Sequence, residues 1–174
     1  MKKIALSLAL AAVALMPQLC AQTAATPAAC PSTATLDDLV KAIDAAVTGP
    51  ADKDRTCFRA LFLPEARLVP LAKNADGGFS PHILTVDGWI DAVRKRGNAA
   101  LMEHQIKVKT EVYGHLAHLW STYETRVEAD GKVQSQVKGI NSIQAVNDGK
   151  SWKIQEIVWE AETPEEKIPT EYLP

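Results

Sequence analysis

From His104 to Glu160 the chain reads as four extended runs joined by tight turns, and this pattern limits the fold more than any other feature. The runs cover 104–112, 116–128, 132–146 and 151–160. The last two joints, Ala129-Asp130-Gly131-Lys132 and Asn147-Asp148-Gly149-Lys150, place glycine where a tight hairpin needs positive φ. The first joint is Tyr113-Gly114-His115. In the first run Ile106, Val108, Thr110 and Val112 interleave with Lys107, Lys109 and Glu111, so one face is dry and the other wet. An antiparallel sheet with one dry face needs a cover.

The N-terminal half supplies that cover as helices. Thr35 caps the first, with Asp37 and Asp38 suited to its positive end. Leu36, Leu39, Val40, Ile43 and Val47 then recur at helical spacing until Gly49-Pro50 stops it. A short second helix, capped by Asp52, carries Phe58, Leu61 and Phe62 on one face and ends at Pro64. Ala66–Leu71 reads as a strand that Pro70 assigns to an edge, and Phe79–Leu84 as another. A third helix opens at Thr85 and turns Val86, Trp89, Ile90, Val93, Ala100 and Leu101 inward, leaving Arg94-Lys95-Arg96 on a solvated face. The order is α-α-β-β-α-β-β-β-β, with no internal repeat.

Lys2 and Lys3, the apolar run Ile4–Met16 and small residues around Cys20 and Ala21 have the form of a secretory signal peptide cut after Ala21. The run is shorter than the ~20 residues of a membrane span. Lipidation at Cys20 is the alternative, with Leu19 bulkier than that processing prefers. The expected organisation is a signal peptide at 1–21, a flexible leader rich in Ala, Thr and Pro at 22–34, and one domain at 35–174, with an extended strap from about Glu162. Removing 1–21 takes two lysines, leaving about 17 basic residues against 21 acidic. Such a chain has no basic field for nucleic acid or anionic lipid. A secreted or periplasmic location is oxidising, so the remaining Cys30 and Cys57 are expected to form a disulfide, with two unpaired thiols as the other reading.

Helices grouped before a curved meander can fill its concave side without sealing it. Here the sequence resembles the nuclear-transport-factor-2-like superfamily, in its SnoaL-like branch. The residues carrying the likeness are the corner Phe58-Arg-Ala-Leu-Phe62-Leu-Pro64-Glu-Ala-Arg67 and the stretch Gly114-His-Leu-Ala117-His-Leu-Trp120-Ser-Thr-Tyr123-Glu. Gly139-Ile-Asn141-Ser-Ile-Gln144 and Trp152 through Glu160 complete it. The resemblance implies an α+β, cone-shaped fold, with three helices on the concave face of a strongly curved, mainly antiparallel sheet. It leaves function open, since the superfamily includes isomerases, dehydratases, hydrolases, carriers and association domains.

Family enzymes place an acid, a histidine or a tyrosine inside an apolar cone, where a proton can be moved beside a carbonyl or epoxide. Alternation puts His104 on the face of Ile106 and Val108, pointing into the hollow; a rim position bonded to backbone or water is the plainer reading. The resemblance makes Tyr123 a cavity hydroxyl and His118 a surface or dimer residue. Asn141 lies between Ile140 and Ile143, where an amide needs a partner, either a ligand or a neighbouring strand. Glu156 alternates with Ile154 and Val158 and reads as a buried general base or as an exposed acid on the convex face. The catalytic candidates are thus His104, Tyr123 and Glu156. No aspartate in the core strands matches the acid positions of the superfamily's enzymes.

Phe62, Trp89, His104, Trp120, Tyr123, Asn141 and Trp159 are the expected ligand-binding residues, with Trp120, Trp152 and Trp159 as an aromatic wall or as sheet core. His115 and His118 point to opposite faces of a strand, so no metal site is expected, and no cofactor. The first functional reading is a binding domain for a small apolar or aromatic molecule. The second is a cofactor-independent isomerase, dehydratase or hydrolase. The third is an association module that dimerises through its sheet.

Overall fold

The computed structural model describes residues 29–174. The expected signal peptide and most of the expected leader, 1–28, lie outside the described residues. The architecture is α+β: three helices and a seven-stranded, mostly antiparallel sheet, as the sequence led one to expect.

Helix α1 (Leu36–Val47) begins where the Thr35 hydroxyl accepts a hydrogen bond from the Asp38 amide at 3.1 Å. Its stripe of Leu39, Ala42, Ile43, Ala46 and Val47 is buried. The C-terminal carbonyls, left without partners inside the helix, are met by cations. Lys53 donates to Ala45 and Thr48 at 2.6 Å, and Arg55 donates to Ala46 and Val47. The chain then makes a two-residue strand β1 (Gly49–Pro50), a one-turn helix α2 (Thr56–Arg59), β2 (Phe62–Lys73) and β3 (Phe79–Pro81). Helix α3 (Val86–Arg94), capped by Thr85, precedes the meander β4 (Ala100–Tyr113), β5 (Leu116–Ala129), β6 (Lys132–Asn147) and β7 (Trp152–Ala161). Across the sheet the order is β1-β4-β5-β6-β7-β2-β3, and β2 runs parallel to β7.

Several boundaries differ from expectation. Helix α3 stops at Arg94, and Gly97 at φ +67° turns the chain, so Ala100 and Leu101 open β4 instead of prolonging the helix. Helix α2 is capped not by Asp52 but after Arg55, with the Asp54 carboxylate accepting from the Thr56 amide and hydroxyl. Pro64 does not end it; Phe62 already belongs to β2, and the register shift between Phe62 and Arg67 takes up the residue that cannot donate. Pro70 pairs with Trp159, so β2 is the penultimate strand and only β3 lies outside it. The hairpin at Asp130-Gly131 has positive φ at both positions, 52° and 70°, matching the twist of its strands.

Cys30 and Cys57 form a disulfide. The end of the leader is held as well as tethered: Thr33 is buried, and its carbonyl accepts from the Trp152 amide at 2.8 Å. From Glu162 the chain crosses the outer face of the sheet, where the Tyr172 carbonyl accepts from the Thr122 hydroxyl at 2.6 Å. No helix among the described residues is long and apolar enough to cross a membrane.

Candidate functional site

Between the helices and the inner face of the sheet lies a cavity of about 500 Å³. Its walls are largely apolar, with Phe58 and Trp89 from the helices, Leu68 and Ile157 paired across β2 and β7, and Phe62, Val127 and Trp159 from the sheet. Phe58 and Trp89 stack at 4.3 Å between ring centres, fixing α3 against the corner that follows α1. Polar groups enter from β4, β5 and β6, and Arg96 from the turn between α3 and β4.

Three opposed pairs on the inner face build that polar patch: Glu103 with Thr125, Gln105 with Tyr123, and Ser121 with Asn141. The Gln105 side-chain oxygen accepts from the Ser121 hydroxyl at 2.5 Å and from the Asn141 amide at 3.1 Å. Its side-chain nitrogen reaches Glu103 at 3.4 Å, and Thr125 donates to the other Glu103 oxygen at 2.7 Å. The Gln105 backbone N–H donates to Asp44 on α1 at 3.0 Å. The result is a connected network among groups that would be costly to bury unpaired.

Burial pushes the Glu103 carboxyl above the ordinary carboxylate range, against the hydrogen bond from Thr125, and the nearby Asp44 charge pushes the same way. Asp44 is raised chiefly by burial too, against its bonds with Gln105. Burial, then the charges of Glu103 and Glu160, hold the Tyr123 phenol well above its usual range. Tyr123 therefore stays a neutral hydroxyl able to donate, beside an acid whose proton is exchangeable nearer neutrality than a free glutamate's. The space for its ring exists because residue 139 opposite is glycine. A Cβ there would collide with the Tyr123 ring and hydroxyl and with the Glu160 carbonyl.

Phe62, Trp89, Tyr123, Asn141 and Trp159 line this cavity. His104 and Glu156 do not, and Trp120 does not. His104 is exposed on the outer face, 3.5 Å from the Glu124 carboxylate. The cause is a β-bulge: Gln105 pairs with Tyr123 and Lys107 with Thr122, so Ile106 is an extra residue and the inward phase switches there. Leu101, Glu103 and Gln105 face inward before the bulge, and Val108 after it. A second bulge in β7, where Ile154 and Glu156 pair with adjacent residues of β6, turns Ile154, Ile157 and Trp159 inward and leaves Glu156 outside, paired with Arg67. Trp120 sits on the outer face against Tyr172, with ring centres 5.9 Å apart, so the three tryptophans form no common wall. Trp152 belongs to the core cluster. His118 lies on the same outer face as Trp120 and bonds Ser142 at 2.9 Å.

Glu103, Gln105, Thr125 and Asp44 were not anticipated. Glu103 alternates with Leu101 and Gln105, but that signal vanishes once Leu101 is assigned to a helix. Among the described residues no group of three or more His, Cys, Asp or Glu is placed to hold a metal ion.

No protein-family model and no curated protein matches the sequence. Solved structures do match the fold. A candidate calcium/calmodulin-dependent kinase II association domain from Exiguobacterium sibiricum is 11% identical, with 74% of this chain and 92% of that chain covered and a TM-score of 0.57. A candidate scytalone dehydratase from Novosphingobium aromaticivorans is 13% identical over 74% and 79% of the two chains, with a TM-score of 0.51. A candidate ketosteroid isomerase from Shewanella frigidimarina is 17% identical over 74% and 95%, with a TM-score of 0.50. Identities this low speak to architecture alone. With its helices laid on the inner face of the meander and a cavity left between, the chain has the nuclear-transport-factor-2-like fold.

Proposed function

We propose that the cone binds a small, mainly apolar molecule bearing a carbonyl or hydroxyl group and moves a proton on it, in the manner of a cofactor-independent isomerase or dehydratase. The observation that carries this reading is the Glu103 carboxyl, half-buried in the wall of a largely apolar cavity, on the same inner face as Tyr123 and Asn141. Glu103 takes the proton from carbon, or returns it, and Gln105 and Thr125 hold its two oxygens. Tyr123 is the donor to the oxygen on which charge develops. Asn141 positions Gln105 and presents its remaining N–H to the ligand. Export as a signal-peptide-bearing, secreted or periplasmic protein accords with the Cys30–Cys57 bond.

The test is deuterium exchange at the α-carbon of a panel of cyclic ketones, with binding followed separately by native mass spectrometry. Exchange that Glu103→Gln removes while binding persists supports the proposal. Ketones that bind without exchange leave a binding protein, and a cone that takes none of them sinks the reading.

Self-association is a second reading, favoured by Val112, Tyr113 and Leu116, which leave an apolar tip exposed on the β4–β5 hairpin. Sedimentation that finds monomer throughout the micromolar range would remove it.

A further inference from the structure

Two arginines stand at the end of the cone where α3 passes into β4, and no carboxylate of the described residues lies within ion-pairing distance of either. Neighbouring cations differ: Arg94 pairs with Asp91 and Arg59 with Asp87. Arg55 is only 1% exposed. It gives Nη1 to the carbonyls of Ala46 and Val47 at 2.5 and 2.8 Å and Nη2 to that of Pro50 at 3.2 Å, while its Nε has no partner. Its guanidinium lies 5.7 Å from the Trp89 ring centre, on a residue that lines the cavity. Arg96 itself lines the cavity, from the solvent side. The run Arg94-Lys95-Arg96, read from sequence as a solvated face, therefore has one member turned to the hollow.

A cation buried behind an aromatic wall and opposed only by backbone carbonyls projects a positive field into a space with low-dielectric sides. Arg96 forms no ion pair with Glu103, although its charge favours the ionised carboxylate. The cavity thus has a cationic end and an acid–hydroxyl end, with apolar side chains between them. Resting on the proton-transfer reading above, we infer that the cone selects an anionic ligand: an apolar or aromatic body whose carboxylate or sulfonate meets Arg96 at the mouth, with its reacting end beside Glu103 and Tyr123. Arg96 is the residue that sets this specificity, and Arg55 supports it from behind Trp89. A charge-assisted hydrogen bond of this kind shifts affinity by about tenfold or more.

The test uses two dyes with one ring system, 1-anilinonaphthalene-8-sulfonate and its neutral counterpart N-phenyl-1-naphthylamine, titrated by fluorescence against the full folded chain. Val137→Trp, at a part-exposed position of the cone wall, reports which signal comes from the cone. The expected result is binding that Val137→Trp abolishes, with the sulfonate dye about tenfold tighter or more, parity in Arg96→Ala and recovery in Arg96→Lys. Equal affinity of the two dyes, or a preference that survives Arg96→Ala, overturns the anionic-ligand inference and leaves the cone as a binding site. If neither dye shows binding sensitive to Val137→Trp, both readings fall. Arg96 is exposed, so its variants fold, and circular dichroism checks this.

Discussion

Gly139→Ala is the sharpest probe of how the cone is built. The methyl group would meet three obstacles: the Tyr123 hydroxyl, its ring carbon and the Glu160 carbonyl on the neighbouring strand. The carbonyl is backbone in the β6–β7 ladder and cannot swing aside, which puts the overpacking cost near the upper end of about 1–3 kcal/mol. Alanine returns about 0.5–1 kcal/mol, because glycine in a strand loses more chain entropy on folding. The net loss is therefore about 2 kcal/mol, or about 4–8 °C in Tm for a domain of this size. Thermal denaturation and urea melts measure it directly. A cycle with Tyr123→Ala then separates the two obstacles. With the ring gone only the carbonyl clash remains, so the coupling should be about 1 kcal/mol. A neutral or stabilising Gly139→Ala would show that residue 139 is merely a weak point in a strand. Zero coupling would show that Tyr123 does not sit over it.

Opening the Cys30–Cys57 bond by Cys→Ser at both positions, 27 residues apart, should cost about 3.6 kcal/mol on the chain-entropy account, read from urea midpoints. A loss below about 1 kcal/mol would mean that the tether does not restrict the unfolded chain as that account requires. Trp89→Ala removes the ring stacked on Phe58 and should cost about 2–4 kcal/mol, less than a fully enclosed tryptophan because one side already faces the cavity. An unchanged melting point would make α3 peripheral. The raised Glu103 carboxyl means that the folded chain binds more protons than the unfolded one above the ordinary glutamate value of 4.5. Stability should accordingly fall as pH rises from there towards the raised value. Glu103→Gln should flatten that slope and raise the urea midpoint at pH of about 8; an unaltered slope would place the titration elsewhere, with Asp44 the first alternative.

The elements that follow simple periodicity are legible in the sequence itself. Thr35 and the stripe from Leu39 to Val47 announce α1, and the glycines at 114, 131 and 149 mark the joints of the meander, each with positive φ. Less legible was the stretch from Lys95 to Leu101, where helical spacing persists for two apolar residues beyond the real end. Nothing local forbids a helix through Ala100 and Leu101. Pairing of both with β1 and β5 decides the matter, and tertiary pairing outweighs weak propensity. Arg55 was invisible as a site residue because its role depends on carbonyls eight and nine positions earlier, exposed only where α1 ends.

The misplaced site residues share one cause, and it is the same irregularity that shapes the cone. Strict alternation assigns a strand one phase from end to end, so His104 seems to travel with Val108, and Glu156 with Ile154. A single extra residue in β4, and another in β7, breaks each of those pairings. Bulges also bend and twist a strand, and a sheet that curls over its helices needs such bends. Before the β4 bulge a polar set, Glu103 and Gln105, faces inward, and after it the apolar Val108 does; the change of phase puts the polar patch at one level of the cavity and leaves the rest to pack. Losing the bulge, with Lys107 still paired to Thr122, would set His104 opposite Thr125, turn it inward and expel Glu103. The sequence pattern 101–108 thus carries two registers, and the hydrogen bonds of Gln105 to Asp44, Ser121 and Asn141 select between them. Gln105→Leu removes the side-chain bonds of that selection, so it should loosen Asn141 and Ser121 together, seen as faster amide hydrogen exchange across β4–β6, while Gln105→Glu keeps acceptors for both.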